Sequence, residues 1–538
     1  MAIRLLGRTF AALAAAGVLV LTACSSPDAA SKADTAAIVT VNGSEPQNPL
    51  IPTNTNEAGG GKIIEAVFSG LLTYQADGKP VNDVARSIET SDSQHFAITI
   101  NGDRTFSNGE KVTSRSFVDA WNYGAKKSNA QLLNSFFEDI EGFSADTDSE
   151  LTGLSVVSDT EFTVDLKTPV SDFPLRLGFS AYYPLPSVAF DDMAAFGAHP
   201  IGNGPYTLAS AKAWKHDESI DLVANPGYTG PRTAKNGGLR IVFYASLDSA
   251  YGDLRSGTLD VLDAIPEAAI STFEKDLDGR AVNQPAAVFQ NVAIPERIAH
   301  FAGEEGRLRR QAISLAIDRP QITKVIFDGT RTPAKDFTSP VIPGWSGRLD
   351  GSGVLDHDAK KAKLLWAEAD KLSPWTGVFT IAYNADGGHQ GWVDAVANNL
   401  KNTLGIDAKG DASPTFALLR TAITDHTIDS AFRAGWQGDY PGLLTFLRPV
   451  YGTGALSNDS GYANPEFDAL LAKGLAEPDV EAANADFRAA QELLLRDLPA
   501  IPLWYSNVTG GYSTSVDHVT FGWNSVPLYE QITKHSAS

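Results

Sequence analysis

Cys24 is the one cysteine in 538 residues, and its setting, Leu21-Thr22-Ala23-Cys24, is that of a thiol about to be acylated. Arg4 and Arg8 form a basic start, and an apolar run from Phe10 to Leu21 leads to the small residues before the cysteine. That run is short of the ~20 residues a membrane-spanning helix needs. Residues 1–23 therefore read as a bacterial lipoprotein export leader, with Cys24 as the lipidation point. Each buried acyl methylene contributes about 0.8 kcal/mol, so more than one chain gives a stable anchor. Residues 24–36, with small, polar and charged side chains and Pro27, read as a flexible tether. A single thiol forms no internal disulfide and no cysteine-based zinc or iron–sulfur site.

Other reactive patterns are missing. The chain contains no His-Glu-x-x-His, no Gly-x-Ser-x-Gly and no Walker A motif. Gly59-Gly60-Gly61-Lys62 imitates a phosphate loop, but lacks the Ser or Thr that would follow the lysine, and no strand pattern precedes it. The nine histidines lack the i, i+2 or i, i+4 pairing of a metal-binding face. The expectation is a protein without catalysis and without a cofactor. The formal charge of −21 becomes −23 once Arg4 and Arg8 leave with the leader. So acidic a surface argues against nucleic acid as a partner.

The elements that would position any site alternate between strand and helix patterns, which predicts an α/β or mixed α+β protein. The length predicts two or more domains. Phe96, Ile98 and Ile100 alternate with other residues, as do Phe162, Val164 and Leu166, predicting half-buried strands. Ile241 to Tyr244 reads as a more fully buried strand. Asp356 is a candidate cap for a helix with the stripe Ala362, Leu365, Trp366 and Ala369. Trp392, Val396, Leu400 and Leu404 form another stripe, stopped by Gly405, and Phe487, Ala490, Leu494 and Leu498 a third, before Pro499.

Several landmarks recur in a fixed order. They are Asn48-Pro49-Leu50, Val67 to Leu72, Thr105 to Thr113 with a tight turn at Asn108-Gly109, and Pro200-Ile201-Gly202-Asn203-Gly204-Pro205-Tyr206. Asn225 to Tyr228, Gly257 to Asp260, and Arg310 to Arg319 ahead of a helix-ending Pro320 complete the series. In this order they resemble the oligopeptide- and dipeptide-binding proteins of ABC importers, family 5 of the bacterial solute-binding proteins. The resemblance runs from about Asn48 to about Trp504. It implies a two-lobed, periplasmic-binding-protein-like fold with a two-stranded hinge and a ligand enclosed between the lobes. The first lobe is expected over 37–286, with an inserted subdomain at about 73–199, the second over 287–498, and a return to the first over 499–538.

A receptor for peptides of any sequence must read backbone and termini: strand pairing for the backbone, a carboxylate for the amine, a cation for the carboxylate. Arg433-Ala434-Gly435-Trp436-Gln437-Gly438-Asp439-Tyr440-Pro441 resembles the family segment that does this. By that resemblance Asp439 pairs with the α-amine, Trp436 lines a side-chain pocket, and Arg433 and His389 take part in C-terminal carboxylate recognition. Gly438 and Tyr440 flank the aspartate, and Thr55, Asn56 and Glu57 match a segment that touches peptide backbone. Two departures stand out. Gly387-Gly388 precedes His389, and Asn134 to Phe137 lacks the tyrosine that oligopeptide binders present there.

The expected partners are peptides, the transmembrane subunits of an ABC permease, and the extracytoplasmic face of the cell membrane through the lipid anchor, with the protein a monomer. The alternatives are a same-fold receptor for a nickel complex, haem, oligosaccharide or opine, and a chaperone- or adhesion-like lipoprotein. Peptide length preference stays open, because Gly438-Asp439-Tyr440 shares features with both dipeptide and oligopeptide binders.

Overall fold

Two thirteen-residue strands, Ala281–Ala293 and Ala500–Tyr512, run antiparallel through the middle of the molecule. The computed structural model describes residues 34–455 and 457–535. The leader, Cys24 and the tether as far as residue 33 lie outside the described residues.

The ladder between the long strands is interrupted. Ala281–Pro285 pairs with Gly511–Asn507, and pairing resumes only at Phe289 opposite Tyr505. Proline has no N–H for a ladder, so Pro285 is a natural place for the break. The core changes at the same point. Before it, Val39, Ile63, Phe68, Trp121, Leu239 and Val508 pack together. Beyond it, Phe289, Ile313, Trp392, Phe432, Leu494 and Trp504 form a separate core. The protein is thus two-lobed and mixed α/β, with one twelve-stranded sheet running through both lobes.

On the first side, Ile38–Gly43 is parallel to Gly238–Phe243. The second of these strands buries only one face. Leu239 and Ile241 are inside, whereas Arg240 is exposed and pairs with Asp221 on the neighbouring strand at 2.8 Å. The fully buried strand expected over 241–244 is therefore half-buried, because its polar face carries that ion pair.

A four-stranded antiparallel sheet holds His95–Ile100 and Glu161–Asp165 side by side, with Phe96, Ile98, Phe162 and Val164 turned inward. Helix Ser114–Ala125 covers that face with Phe117 and Trp121. Gly109 has the positive φ (87°) that its turn requires. This insert also touches the second lobe: Ser171 Oγ donates to the Gly474 carbonyl and Ser93 Oγ to that of Glu477.

Two helix boundaries differ from expectation. Helix Ala359–Leu372 is capped by Asp358, which accepts from Lys361 N–H at 2.9 Å, while Asp356 is drawn off to Lys335 Nζ. Helix Gly303–Ala316 ends before Pro320, which lies in the first turn of the next helix, Arg319–Val325, capped by Asp318. Proline is tolerated there because a first-turn N–H has no helical partner to lose. The stripe of Trp392, Val396 and Leu400 is buried as the spacing requires, and Gly405 closes it with φ 72°.

Arg319, 1% exposed, ties the second lobe together without a carboxylate at its head. Its guanidinium donates to the carbonyls of Pro502, Ser314 and Leu355 and to Ser314 Oγ, at 2.7–3.0 Å. Only a planar fork of donors serves acceptors so distributed. Arg319→Leu should destabilise this lobe by about 3 kcal/mol or more, since buried acceptors left unmatched cost about 1–3 kcal/mol each. Arg319→Lys should recover less than half of that. Urea unfolding followed by tryptophan fluorescence measures both; a loss below about 1 kcal/mol would refute the bracing role.

Candidate functional site: a cleft between the lobes

The C-terminal end of strand Ala431–Gln437 opens into a cleft of about 630 Å³. From the second lobe, Val288, Gln437, Gly438 and Asp439 line it. The first lobe contributes Thr55 to Ala58, Lys62, Glu65, Tyr74, Tyr183, Arg232 and Asp263, together with the tail loop from Gly522 to Glu530.

The strand itself has a free edge. It pairs in parallel with Val378–Asn384 only at Ala431 and Phe432, and antiparallel with the long strand over Phe432–Gln437. The Gly438 N–H donates to the Ala287 carbonyl, which sets the phase of that ladder: even-numbered residues bond the long strand. The main-chain groups of Gly435 and Gln437 therefore point to the other edge, where no described strand pairs with them. Such an edge is a template for an extended chain.

Asp439 closes this edge. Its carboxylate accepts from Thr445 Oγ1 at 3.1 Å, and among the described residues no Lys, Arg or His lies within ion-pair distance of it. Desolvation pushes its pKa up to about 6, only partly opposed by the Thr445 bond and its own backbone. Gly438 is needed beside it for space, since a Cβ there would stand 2.9 Å from the Phe446 ring.

Tyr440 turns away from the cleft. Its hydroxyl donates to Asp172 Oδ2 of the insert at 2.7 Å, beside the Arg176 guanidinium, which also binds Asp172 and Asp139 at 2.8 Å. Tyr440 thereby fastens the Asp439 segment across the seam between lobes.

The other sequence candidates divide. Asn56 and Glu57 line the cleft, and the Glu57 carboxylate caps helix Ala58–Val67 by accepting from Gly60 N–H. The glycines after it pack against that cap: a Cβ on Gly60 would meet Glu57 Oε1 at 2.4 Å. Lys62 is ion-paired to Asp263. The Gly59–Lys62 stretch is thus the first turn of a helix with its lysine already partnered.

Trp436, Arg433 and His389 lie off the cleft wall. Trp436 packs on the second-lobe core. Arg433 Nε donates to Asn384 Oδ1 at 2.8 Å, with its guanidinium 4.9 Å over the Phe416 ring. His389 Nδ1 accepts from Trp392 Nε1 at 3.1 Å, which leaves its proton on Nε2. A Cβ on Gly387 would clash with both His389 Nε2 and Asn384 Nδ2, so that glycine makes room for the two side chains.

The wall facing Asp439 has no marker in the sequence. Glu65, Arg232, Tyr529 and Glu530 come from distant stretches with no motif, and Trp523 reaches the cleft from the second-lobe core. Arg232 donates to the carbonyls of Glu65 and Phe68 and to Ser69 Oγ, each at 2.7 Å. Trp523 meets Tyr74 edge to face at 5.8 Å. Among the described residues, no group of three or more His, Cys, Asp or Glu is placed to hold a metal, and no helix is long and apolar enough to cross a membrane.

Comparison with known proteins agrees with this architecture. Residues 79–458 match the family described as bacterial extracellular solute-binding proteins, family 5 Middle. The chain is 26% identical over 480 residues to the oligopeptide-binding protein OppA of Bacillus subtilis, covering 85% of each chain. It is 25% identical over 462 residues to the periplasmic murein peptide-binding protein MppA of Escherichia coli, covering 83% of each. Among solved structures, the unliganded open form of the murein tripeptide binding protein MppA superposes with a TM-score of 0.80 at 21% identity, over 95% of this chain and 99% of that one. AppA of Bacillus subtilis in complex with a nonapeptide superposes at 0.69 and 18% identity, over 94% and 100%. The chain belongs to the bacterial extracellular solute-binding proteins of family 5, which are receptors and not enzymes.

Proposed function

We propose that this protein captures peptides in the interlobe cleft and delivers them to an ABC-type importer, tethered to the extracytoplasmic face of the membrane through lipid on Cys24. The observation that carries the reading is Asp439: a desolvated carboxylate with no ion-pair partner among the described residues, at the end of a strand edge that no described strand pairs. A peptide supplies what both lack, an ammonium group and a row of backbone donors and acceptors. The peptide-binding relatives of similar length support the same reading.

Arg433 stands at the other end of the free edge. Six steps of extended chain at ~3.3 Å, about 20 Å in all, separate it from Asp439, so an extended peptide of roughly five to six residues would span from one to the other. Arg433 and His389 are the groups we assign to the peptide carboxylate, Trp436 to a side-chain pocket, and Asn56 and Glu57 to backbone contact. Gly438 and Tyr440 hold Asp439 in place. We assign the hinge to the break in the long strands near Pro285, with lobes over 37–286 and 287–498 and the tail 499–538 returning to the first; the core around Trp504 carries the second lobe some residues into that tail.

Calorimetric titration of the full chain, refolded to strip any bound ligand, tests the reading. Free-amine peptides should bind and their N-acetylated forms should not. Asp439→Ala should weaken binding by about 2–5 kcal/mol, because the ligand amine would be buried unpaired. Unchanged affinity would refute the assignment, and heat only with nickel complexes, haem or sugars would keep the fold and change the ligand.

The raised Asp439 pKa gives two signed expectations. The charged form binds the amine, so affinity should rise from pH 5 to pH 7.5 by about tenfold and then level off. N-acetylated peptides should stay unbound across the same range. In the ligand-free protein the same charge is a burden, because the folded pKa lies above the unfolded one. The penalty is absent below about pH 4, grows through pH 6 and is complete above it. Asp439→Asn should therefore stabilise the ligand-free chain by about 1–2 kcal/mol at pH 7.5 and not at pH 4, as read by thermal unfolding. A loss of stability at pH 7.5 would make the aspartate structural.

A further inference from the structure

The cleft holds more negative charge than one peptide amine neutralises. Two cations line it, and each has its own aspartate: Lys62 pairs with Asp263, and Arg232 Nε faces Asp83 at 3.6 Å. The terminal nitrogens of Arg232 are spent on main-chain carbonyls and a serine hydroxyl. Glu57 is spent on its helix cap. That leaves Glu65 and Glu530 on the first-lobe wall, opposite in the cleft to the Asp439 lobe.

Neither glutamate makes an ion pair among the described residues, and Glu530 is only 8% exposed. Burial raises both pKa values against the opposing field of Arg232, and Glu530 adds to the burden on Glu65. The Asn524 amide gives Glu65 only long contacts, at 3.4 and 3.5 Å.

An independent observation marks the same wall. Tyr529 lines the cleft, is 4% exposed, and its hydroxyl has no hydrogen-bond partner among the described residues. The hydroxyl sits in the field of Glu65 and Asp263. A buried phenol without a partner costs stability unless something else supplies one.

We propose that Glu65, Glu530 and Tyr529 form a second ligand-reading site that receives a basic side chain, so that this receptor selects peptides carrying lysine or arginine. A lysine ammonium has three donors and no acceptor, and the wall offers two carboxylates and a phenol oxygen. The methylene stem would lie along the apolar rings of Tyr183 and Tyr74, which line the cleft nearby. The inference rests on the reading of the cleft as a peptide site.

The test is a competition series on the full chain with tripeptides of alanine in which the second or third residue is lysine, norleucine or glutamate. Norleucine keeps most of the stem and removes the charge. At pH 7.5 one lysine position should bind at least tenfold tighter than its norleucine counterpart, and the glutamate peptide should bind weakest. In Glu65→Gln/Glu530→Gln the lysine-to-norleucine ratio should fall to about one. Should the double variant fail to fold by circular dichroism, Glu65→Gln alone, at the more exposed position, should still cut the ratio at least threefold. Norleucine peptides that bind as tightly as lysine peptides would overturn this inference and leave the peptide reading standing. No binding by any peptide of the series would overturn the peptide reading and this inference with it.

Discussion

The antiparallel ladder between Ala281–Ala293 and Ala500–Tyr512 is the constraint from which the rest of the architecture follows. Both strands are long enough to serve two cores, and the ladder's longest gap follows Pro285, where a donor is missing. A continuous ladder would weld the lobes into one sheet of fixed twist. A missing one would leave them joined by unstructured chain. The interrupted ladder sets two lobes side by side while holding the Ala431–Gln437 strand in register with the spine, so that its free edge and Asp439 face the opposite lobe.

Electrostatics then does in the cleft what packing does in the cores. Several buried charges elsewhere are matched: Arg176 has two aspartates, Arg309 has Glu305 and Asp370, and Arg319 has four acceptors. The cleft departs from that thrift at Asp439, Glu65 and Glu530. Carboxylates held desolvated without a counter-ion destabilise the empty receptor, a deficit that a cationic ligand would relieve. Stability given up at a cleft and recovered on occupancy is how a protein with no reaction to catalyse still acquires selectivity.

How much of this could be read before the structure depended on how local the cause was. The stripes of Phe96 and Ile98 and of Trp392, Val396 and Leu400 lie in one element each, and periodicity alone located them. Helix ends were harder: Asp356 and Asp358 are equally good caps by type, and only the pull of Lys335 on the first decides between them. The turn from one helix to the next at Pro320 was legible as a stop and not as a start. At the site, Asp439 and Gly438 stand in a contiguous motif that ends at the cleft. Glu65 and Glu530 are carried by opposite ends of the chain and meet only because the tail returns to the first lobe. The glycines before His389 looked like a departure from pattern, and the structure gives each a reason: Gly387 leaves room for the His389 and Asn384 side chains, and Gly388 takes a positive φ of 66°.

The bond from Tyr440 to Asp172 bears on time as well as on position. It joins the residue next to Asp439 to the opposite side of the seam, in a setting sealed from water by the Arg176 guanidinium. Any rotation that parts the insert from the second lobe must break that bond and expose a charged carboxylate. The same contact stands in the way of opening for entry and for exit, so it raises both barriers alike and shifts no equilibrium. The pace of exchange is in this way partly a property of the receptor's seam, common to every ligand it takes.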